Sequence, residues 1–233
     1  MTSEVNEWYR GRKVLVTGAS GLMGKVLIEK LLYSVPDIGG IYALVRSKRG
    51  KTPETRLFSR IREEKPHVMK KLIPVAGDIL YDNLGVEKNQ LQQLYDEVSV
   101  VFHFAATLRL EAPLKEGLEM NTKGTLRVLD VARQMKSLVA FLHLSTAFCY
   151  PDYDRMPEKL ELLAPSIYQK HPNSYTYSKR LAEALVRESY PALPAVIARP
   201  SIGMLHDTTT ATRTPSGWLR RWYGRATPPF QRL

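Results

Sequence analysis

The chain contains a tyrosine and a lysine, Tyr175 and Lys179, at a spacing that would let the two side chains act together. They lie four residues apart near the start of a helix predicted from Ser174 to Tyr190, so they share one helix face. An ammonium group beside a phenol favours the phenolate and is expected to lower the pKa of the tyrosine from about 10. The pair therefore predicts a general acid usable near neutral pH, with Tyr175 as the proton donor.

Ser145 and Thr146 provide hydroxyl groups at the end of an apolar strand predicted from Leu138 to Leu144. A hydroxyl at this position would hydrogen-bond a carbonyl oxygen together with Tyr175, and would share the negative charge that develops as a hydride arrives. Spacing alone does not decide which of the two hydroxyl groups would contact the carbonyl oxygen. We expect Thr146 to make the direct contact and Ser145 to be its neighbour.

A glycine-rich turn near the N-terminus joins a short β-branched strand to an apolar helix predicted from Leu22 to Leu32. Glycine is needed there because a Cβ would block the approach of phosphate to the backbone, or of the helix to the strand. The helix start would present its backbone N–H groups to a pyrophosphate. The pattern is typical of a dinucleotide site, and the contacts expected from it are Thr17, Gly18, Gly21, Leu22, Met23 and Gly24.

Basic residues follow the second predicted strand, where dinucleotide-binding sheets meet the adenosine ribose. An acidic residue there accepts from a 2′-hydroxyl, whereas an arginine fits a 2′-phosphate. The chain has Arg46 at this position, followed by Lys48 and Arg49, so the expected cofactor is NADPH rather than NADH. Asp78, after the third strand, is a candidate acceptor for the adenine amino group. Further cofactor contacts are expected at strand ends and on the last helix, at Ile79, Ala105, Lys179 and Pro200.

His103 and Cys149 are reactive residue types for which we favour a structural interpretation. His103 ends the fourth predicted strand, where a packed and hydrogen-bonded histidine is more common than a catalyst. Cys149 would be a nucleophile only beside an activating base, and its Phe148 and Tyr150 neighbours favour a buried, inert thiol instead.

Strands and helices alternate along the chain in a way that would bring these residues together. Strands are predicted at 14–17, 41–45, 71–75, 98–103, 138–144 and 195–198. Helices are predicted at 22–32, 52–65, 89–97, 113–135 with an interruption at 121–124, and 174–190. The alternation predicts an α/β fold with a doubly wound parallel sheet, the NAD(P)-binding Rossmann fold. Ligands of such sheets bind beyond the carboxyl ends of the strands. Most of the candidate residues named above directly follow a predicted strand, so they would lie at that edge of the sheet.

The composition fits one globular α/β domain, with 233 residues, 44% hydrophobic and 24% charged. The net charge of +11 is consistent with a phosphate-rich substrate and cofactor, or with a solvated basic surface. The sequence does not interleave aromatic and basic residues in the way typical of nucleic-acid binding, so a nucleic-acid ligand is not expected. The single cysteine excludes an intramolecular disulfide framework and fits a reducing compartment. Neither a secretory signal nor a run of about 18 apolar residues is visible, so no transmembrane segment is predicted.

Taken together, these motifs resemble the extended short-chain dehydrogenase/reductase family, and within it the fatty acyl-CoA reductases of the male-sterility type. The resemblance runs from about Tyr9 to Gly203 and is carried by residues 11–32, 36–46, 101–107, 171–179 and 199–202. It implies a two-step, NADPH-dependent reduction of a long-chain fatty acyl-CoA, first to an aldehyde with loss of CoA and then to a primary alcohol. No covalent acyl-enzyme is required.

The resemblance also implies roles for individual residues. Tyr175 would donate the proton, Lys179 would hold the nicotinamide ribose and tune Tyr175, and Thr146 would orient the carbonyl. Asn121 would support Lys179 through a water molecule, or would merely distort its helix. The family further implies an intracellular location, in the cytoplasm or at the surface of the peroxisomal or endoplasmic reticulum membrane.

After Gly203 the sequence departs from the family, and residues 206–233 are rich in Thr, Arg and Pro without core periodicity. We expect an N-terminal arm at 1–10, a dinucleotide-binding domain at 11–205 and a disordered tail at 206–233, as in a C-terminally truncated or variant form. Two alternatives stay open. One is another extended short-chain dehydrogenase acting on a sugar nucleotide or a steroid, and the other is a cofactor-binding fragment without turnover.

Overall fold

The computed structural model of the protein describes residues 4–46, 66–149 and 173–200. Its strands are β1 Lys13–Thr17, β2 Gly40–Val45, β3 Leu72–Ala76, β4 Val98–His103, β5 Ala140–Leu144 and β6 Ala195–Ala198. Its α-helices are α1 Glu4–Tyr9, α2 Leu22–Ser34, α3 Lys88–Glu97, α4 Leu114–Gly117, α5 Gly124–Arg133 and α6 Ser174–Glu188. Short 3₁₀ turns occupy Val68–Lys71, Asp82–Gly85 and Ala147–Cys149.

The six strands form one sheet in the order β3-β2-β1-β4-β5-β6, and every neighbouring pair is parallel. The predicted doubly wound parallel sheet is therefore confirmed. The strand order reverses between β1 and β4, and the crevice at such a switch point is where these sheets bind ligands. In this pair Thr17 lies opposite His103, so the ends of the two strands meet at the crevice.

The centre of the sheet is buried on both faces, as expected when helices cover each side. Successive side chains of a strand point to opposite faces. Leu15 therefore belongs to one apolar cluster together with Val101 and Phe141, whereas Val14 and Val16 belong to the other. Because both faces pack, the strand ends that carry the site are held rigidly.

The predicted interruption of the long helix is a π-helical turn. The chain passes from α4 through the π turn Leu118–Lys123 into α5, so the break lies where the sequence indicated it. Such turns often mark functional sites because they displace side chains from regular helical positions.

Several sequence-based expectations concern the ends of the chain and its loops. The predicted arm at 1–10 contains the short helix α1, which the sequence did not indicate. The predicted helix at 52–65 and the predicted disordered tail at 206–233 lie outside the described residues. Among the helices that the structure describes, none combines the length and the apolar character needed to cross a bilayer.

Candidate functional site

A cavity of about 330 Å³ lies at the carboxyl ends of the central strands. Most of the predicted cofactor contacts line it, including the glycine turn and the residues that follow β2 and β3. The lining residues are Gly18, Ser20, Gly21, Leu22, Met23, Gly24, Leu44, Arg46, Gly77, Asp78, Ile79, Phe104, Ala105, Ala106, Leu108, Met120 and Leu144.

The glycine turn is shaped by two close backbone approaches. Gly18 has a φ of +69°, and a Cβ there would lie 2.7 Å from the backbone nitrogen of Ala105. At Gly24 a Cβ would overlap the carbonyl oxygen of Gly18 and would lie 2.8 Å from the Cα of Ala19. Gly18 is therefore needed for the turn to pack against the segment after β4, and Gly24 for α2 to pack against the turn.

The start of α2 has the properties of a phosphate site. Gly21 is the N-cap residue, and no side chain caps the helix there. The first N–H groups of a helix have no partner within it and carry partial positive charge. Leu22 and Met23, the first two helical residues, line the cavity and are 60% and 43% exposed. The turn therefore fits the pyrophosphate of a dinucleotide.

Thr17 and His103 form a buried polar connection behind the turn. Thr17 Oγ1 accepts from the backbone N–H groups of Phe104 and Ala105, both at 3.2 Å, and lies 2.8 Å from His103 Nδ1. His103 Nε2 lies 2.9 Å from Thr125 Oγ1. Thr125 Oγ1 donates to the carbonyl oxygen of Asn121 over 2.6 Å.

This arrangement assigns the tautomer of His103. The Thr125 hydroxyl uses its proton on Asn121, so it accepts from Nε2–H, and Nδ1 accepts from the Thr17 hydroxyl. Burial, with a contribution from the charge of Lys179, lowers the pKa of His103 to about 3. The histidine is neutral and packed, which confirms the structural interpretation.

Arg46 and Asp78 lie along the part of the cavity that follows β2 and β3. Arg46 is exposed and lines the cavity, as a contact to a 2′-phosphate would require. Asp78 Oδ1 accepts from the backbone N–H of Leu80 at 3.1 Å, and the Asp78 N–H donates to the carbonyl oxygen of Leu84 at 2.7 Å. Lys48 and Arg49 lie outside the described residues.

The predicted catalytic residues meet at the end of β5. Thr146 lies close enough to Tyr175 to act on its phenol, and it lowers the pKa of that group in part. Ser145 is turned instead toward Cys149, with 3.2 Å between Oγ and Sγ. Lys179 is 2% exposed, and its Nζ donates to the carbonyl oxygen of Leu144 over 2.6 Å.

The expected effect of Lys179 on Tyr175 is wrong. Burial, followed by the negative charge that a Cys149 thiolate would carry, raises the pKa of Tyr175 above its ordinary value, and the Thr146 hydroxyl opposes this only in part. Lys179 is itself buried, which lowers its pKa to about 8. Desolvation of the phenol therefore dominates, and Tyr175 stays protonated through neutral pH.

Asn121, on the π turn, does more than distort its helix. Its Oδ1 accepts from the Thr107 N–H at 2.8 Å, and its Nδ2 donates to the Thr107 carbonyl at 3.2 Å and to Ser178 Oγ at 2.9 Å. Ser178 Oγ donates in turn to the Tyr175 carbonyl over 2.8 Å. Asn121 thus fastens the start of α6 to the loop after β4. Support of Lys179 through water stays a prediction.

Cys149 and Pro200 complete the residues singled out in the sequence. Cys149 is fully buried, and burial raises the pKa of its thiol to about 12, in agreement with the expected inert thiol. The carbonyl oxygen of Pro200 accepts from the Ala147 N–H at 3.0 Å, which fixes the residue beside the Thr146 segment.

Sequence reasoning missed two groups of residues. Ser20, Leu44, Leu108 and Met120 line the cavity, and only Ser20 carried a signal, since it lies within the glycine turn. The buried ion pair between Glu183 and Arg199 was also missed. Its signal was the position of Glu183 one helical turn after Lys179.

Comparison with known proteins identifies the family. Residues 16–224 match the family described as male sterility protein. The chain is 36% identical over 228 residues to fatty acyl-CoA reductase 1 of Gallus gallus, and 34% identical over 228 residues to that of Homo sapiens. Each alignment covers 85% of this chain and 44% of the relative, so the chain spans less than half the length of these proteins.

Solved structures agree with this assignment. The terminal R domain of the myxalamid PKS-NRPS biosynthetic pathway is similar with a TM-score of 0.69 and 30% identity, over 82% of this chain and 48% of that one. UDP-glucuronic acid 4-epimerase from Bacillus cereus, solved in complex with NAD, is similar with a TM-score of 0.58 and 24% identity. The match covers 81% of this chain and 56% of that one, and it shows a shared fold. The chain therefore belongs to the male sterility protein family, the extended short-chain dehydrogenase/reductases of the fatty acyl-CoA reductase type.

Proposed function

We propose that the protein reduces a long-chain fatty acyl-CoA to a primary fatty alcohol with NADPH and releases CoA. The observation that carries the proposal is the placement of Tyr175 beside Thr146, with Lys179 one turn further along α6. Lys179 is hydrogen-bonded to Leu144, the last residue of β5, which lines the cavity. Family membership supports the substrate class, since the similar proteins are named fatty acyl-CoA reductases.

The cavity residues and Lys179, which lies behind Leu144, would each hold a different part of the cofactor. The helix start after Gly21 would hold the pyrophosphate, and Arg46 would pair with the 2′-phosphate. Asp78 and Ile79 would meet the adenine, and Lys179 would hold the nicotinamide ribose. When bound there, NADPH supplies the hydride.

Tyr175 and Thr146 would act on the carbonyl oxygen of the substrate. The raised pKa keeps the phenol of Tyr175 protonated, so it can give its proton to the oxygen as negative charge develops. Thr146 orients the phenol and offers a second hydrogen bond to the same oxygen. Because the thiol of Cys149 is buried with a pKa of about 12, Cys149 does not serve as a covalent nucleophile.

The reduction would take place in two steps, each of which consumes one hydride and one proton. In the first, one hydride and one proton convert the thioester to an aldehyde, and the carbon–sulfur bond breaks to release CoA as the thiol. In the second, another hydride and proton convert the aldehyde to the alcohol. The net charge of +11 suits the phosphate groups of both CoA and NADPH.

A substrate panel tests the proposal against its alternatives. The purified chain is incubated with NADPH and palmitoyl-CoA, and in parallel with UDP-glucose and NAD. We expect hexadecanol and CoA from the first mixture and no change in the second. Turnover of the sugar nucleotide alone would contradict the proposal, and so would NADPH binding without turnover of any acyl-CoA from C12 to C20.

A further inference from the structure

Glu183 and Arg199 form a buried ion pair next to the predicted catalytic helix residues. Arg199 Nε donates to Glu183 Oε1 over 2.9 Å, and Arg199 Nη2 donates to Oε2 over 2.7 Å. The Glu183 side chain is 0% exposed and that of Arg199 is 17% exposed. Two parallel charge-assisted hydrogen bonds fix both side chains in one geometry.

The pair joins two parts of the site. Glu183 lies four residues after Lys179 on α6, so the two buried side chains share a helix face. Arg199 follows β6 and immediately precedes Pro200, whose carbonyl holds the Thr146 segment through Ala147. The ion pair therefore links the helix that carries Lys179 to the end of the strand beside it.

We propose that Glu183, held by Arg199, is a positioning residue for Lys179 and supplies the negative charge that allows a fully buried ammonium group to persist there. This inference rests on the proposed function for the role of Lys179. An ammonium group without an anion nearby would lose its proton on burial.

The charges around Lys179 single out Glu183. In the part of the chain that the structure describes, Lys179 interacts electrostatically with Glu183 on α6, His103 on β4, His143 on β5 and Cys149 after β5. Tyr175 lies one helical turn before Lys179, and Arg199 after β6 is paired with Glu183. Both histidines are neutral because their pKa values are lowered, and Tyr175 and Cys149 are neutral because theirs are raised. Burial lowers the pKa of Lys179 to about 8, and negative charge on Cys149 and then on Glu183 opposes this. Because the Cys149 thiol is neutral at neutral pH, Glu183 is the anion that remains.

The test is a direct titration of Lys179 in the full chain by NMR, with ¹³C-labelled lysine and the signal assigned by its loss in Lys179→Arg. We expect Glu183→Gln to shift the Lys179 midpoint downward by about one pH unit. The double variant Glu183→Gln/Arg199→Met removes both charges of the pair and should shift it less, in the same direction. Glu188→Gln is the matched control, since Glu188 is exposed and nine residues from Lys179 on the same helix.

The double variant also guards against a folding failure, because removing a whole buried pair is far less destabilising than removing one partner. A Lys179 midpoint unchanged in both the single and the double variant would overturn the inference. So would an equal shift in Glu188→Gln. The titration needs no acyl-CoA turnover, so a shifted midpoint in a chain that reduces no acyl-CoA would sustain the role of Glu183 while the proposed function fails.

Discussion

Lys179 donates from its Nζ to the carbonyl oxygen of Leu144 over 2.6 Å, and this contact joins α6 to the last residue of β5. Leu144 also lines the cavity, whereas Thr146, two residues further on, lies beside Tyr175. Lys179 therefore holds the chain segment that runs from the cavity-lining Leu144 to Thr146.

The two hydroxyl residues after β5 should differ in their effect on the rate. Thr146 lies beside Tyr175, whereas Ser145 Oγ lies 3.2 Å from Cys149 Sγ. We expect Thr146→Ala to lower kcat by about 10²–10³-fold, since it removes a hydrogen bond to the developing oxyanion. Ser145→Ala, the matched control, should stay within a few-fold of the wild type. A larger loss in Ser145→Ala than in Thr146→Ala would reverse the assignment.

Arg46 should determine the preference for NADPH over NADH. A charge-assisted contact to the 2′-phosphate is worth about 1.5–3 kcal/mol, so Arg46→Asp should lower the ratio of the two affinities by at least about tenfold. Lys30→Asp makes the same charge change at an exposed position of α2 that does not line the cavity. Cofactor titration by fluorescence measures both. An unchanged ratio in Arg46→Asp would remove the basis for the NADPH assignment.

Gly24 should be intolerant of any side chain. Alanine there would overlap the carbonyl oxygen of Gly18 and spread the glycine turn, so we expect at least a tenfold loss of NADPH affinity and a loss of about 1–3 kcal/mol in the free energy of unfolding. Gly40→Ala is the control, because a Cβ at Gly40 meets its nearest neighbour, Ile73 Cδ1, at 3.5 Å. Wild-type affinity and stability in Gly24→Ala would contradict the close approach.

Acid sensitivity should depend on His143. This side chain is buried, and its ring nitrogens form no hydrogen bond to any described residue. Burial, then the charges of Lys179 and His103, hold the pKa of His143 well below its ordinary value. The unfolded chain takes up a proton below about pH 6.5 while the folded chain does not, so the stability is fully present above that pH and declines on acidification.

His143→Leu should remove this part of the acid sensitivity. Between pH 7 and pH 5, the variant should lose about 2 kcal/mol less of its free energy of unfolding than the wild type. Urea unfolding at the two pH values measures the difference. An equal decline in both proteins would show that His143 does not titrate on unfolding.

Local patterns predicted the sheet well, because a buried strand and an amphipathic helix each leave a periodic signal in consecutive residues. The six strands and the break near Asn121 follow from such signals. The contact of Asn121 with Ser178, 57 residues away, leaves no signal in the local sequence, because it depends on how α6 packs on the π turn. The direction of the Tyr175 pKa was missed for a similar reason, since four-residue spacing reports proximity to Lys179 but not the depth of burial.

The most direct test of the account compares the wild type with Tyr175→Phe in one assay that follows both NADPH binding and alcohol formation from palmitoyl-CoA. The substitution removes only the phenolic hydroxyl that would donate the proton. We expect the wild type to form hexadecanol and the variant to form none while it binds NADPH with unchanged affinity. Hexadecanol formation by Tyr175→Phe at the wild-type rate would contradict the account.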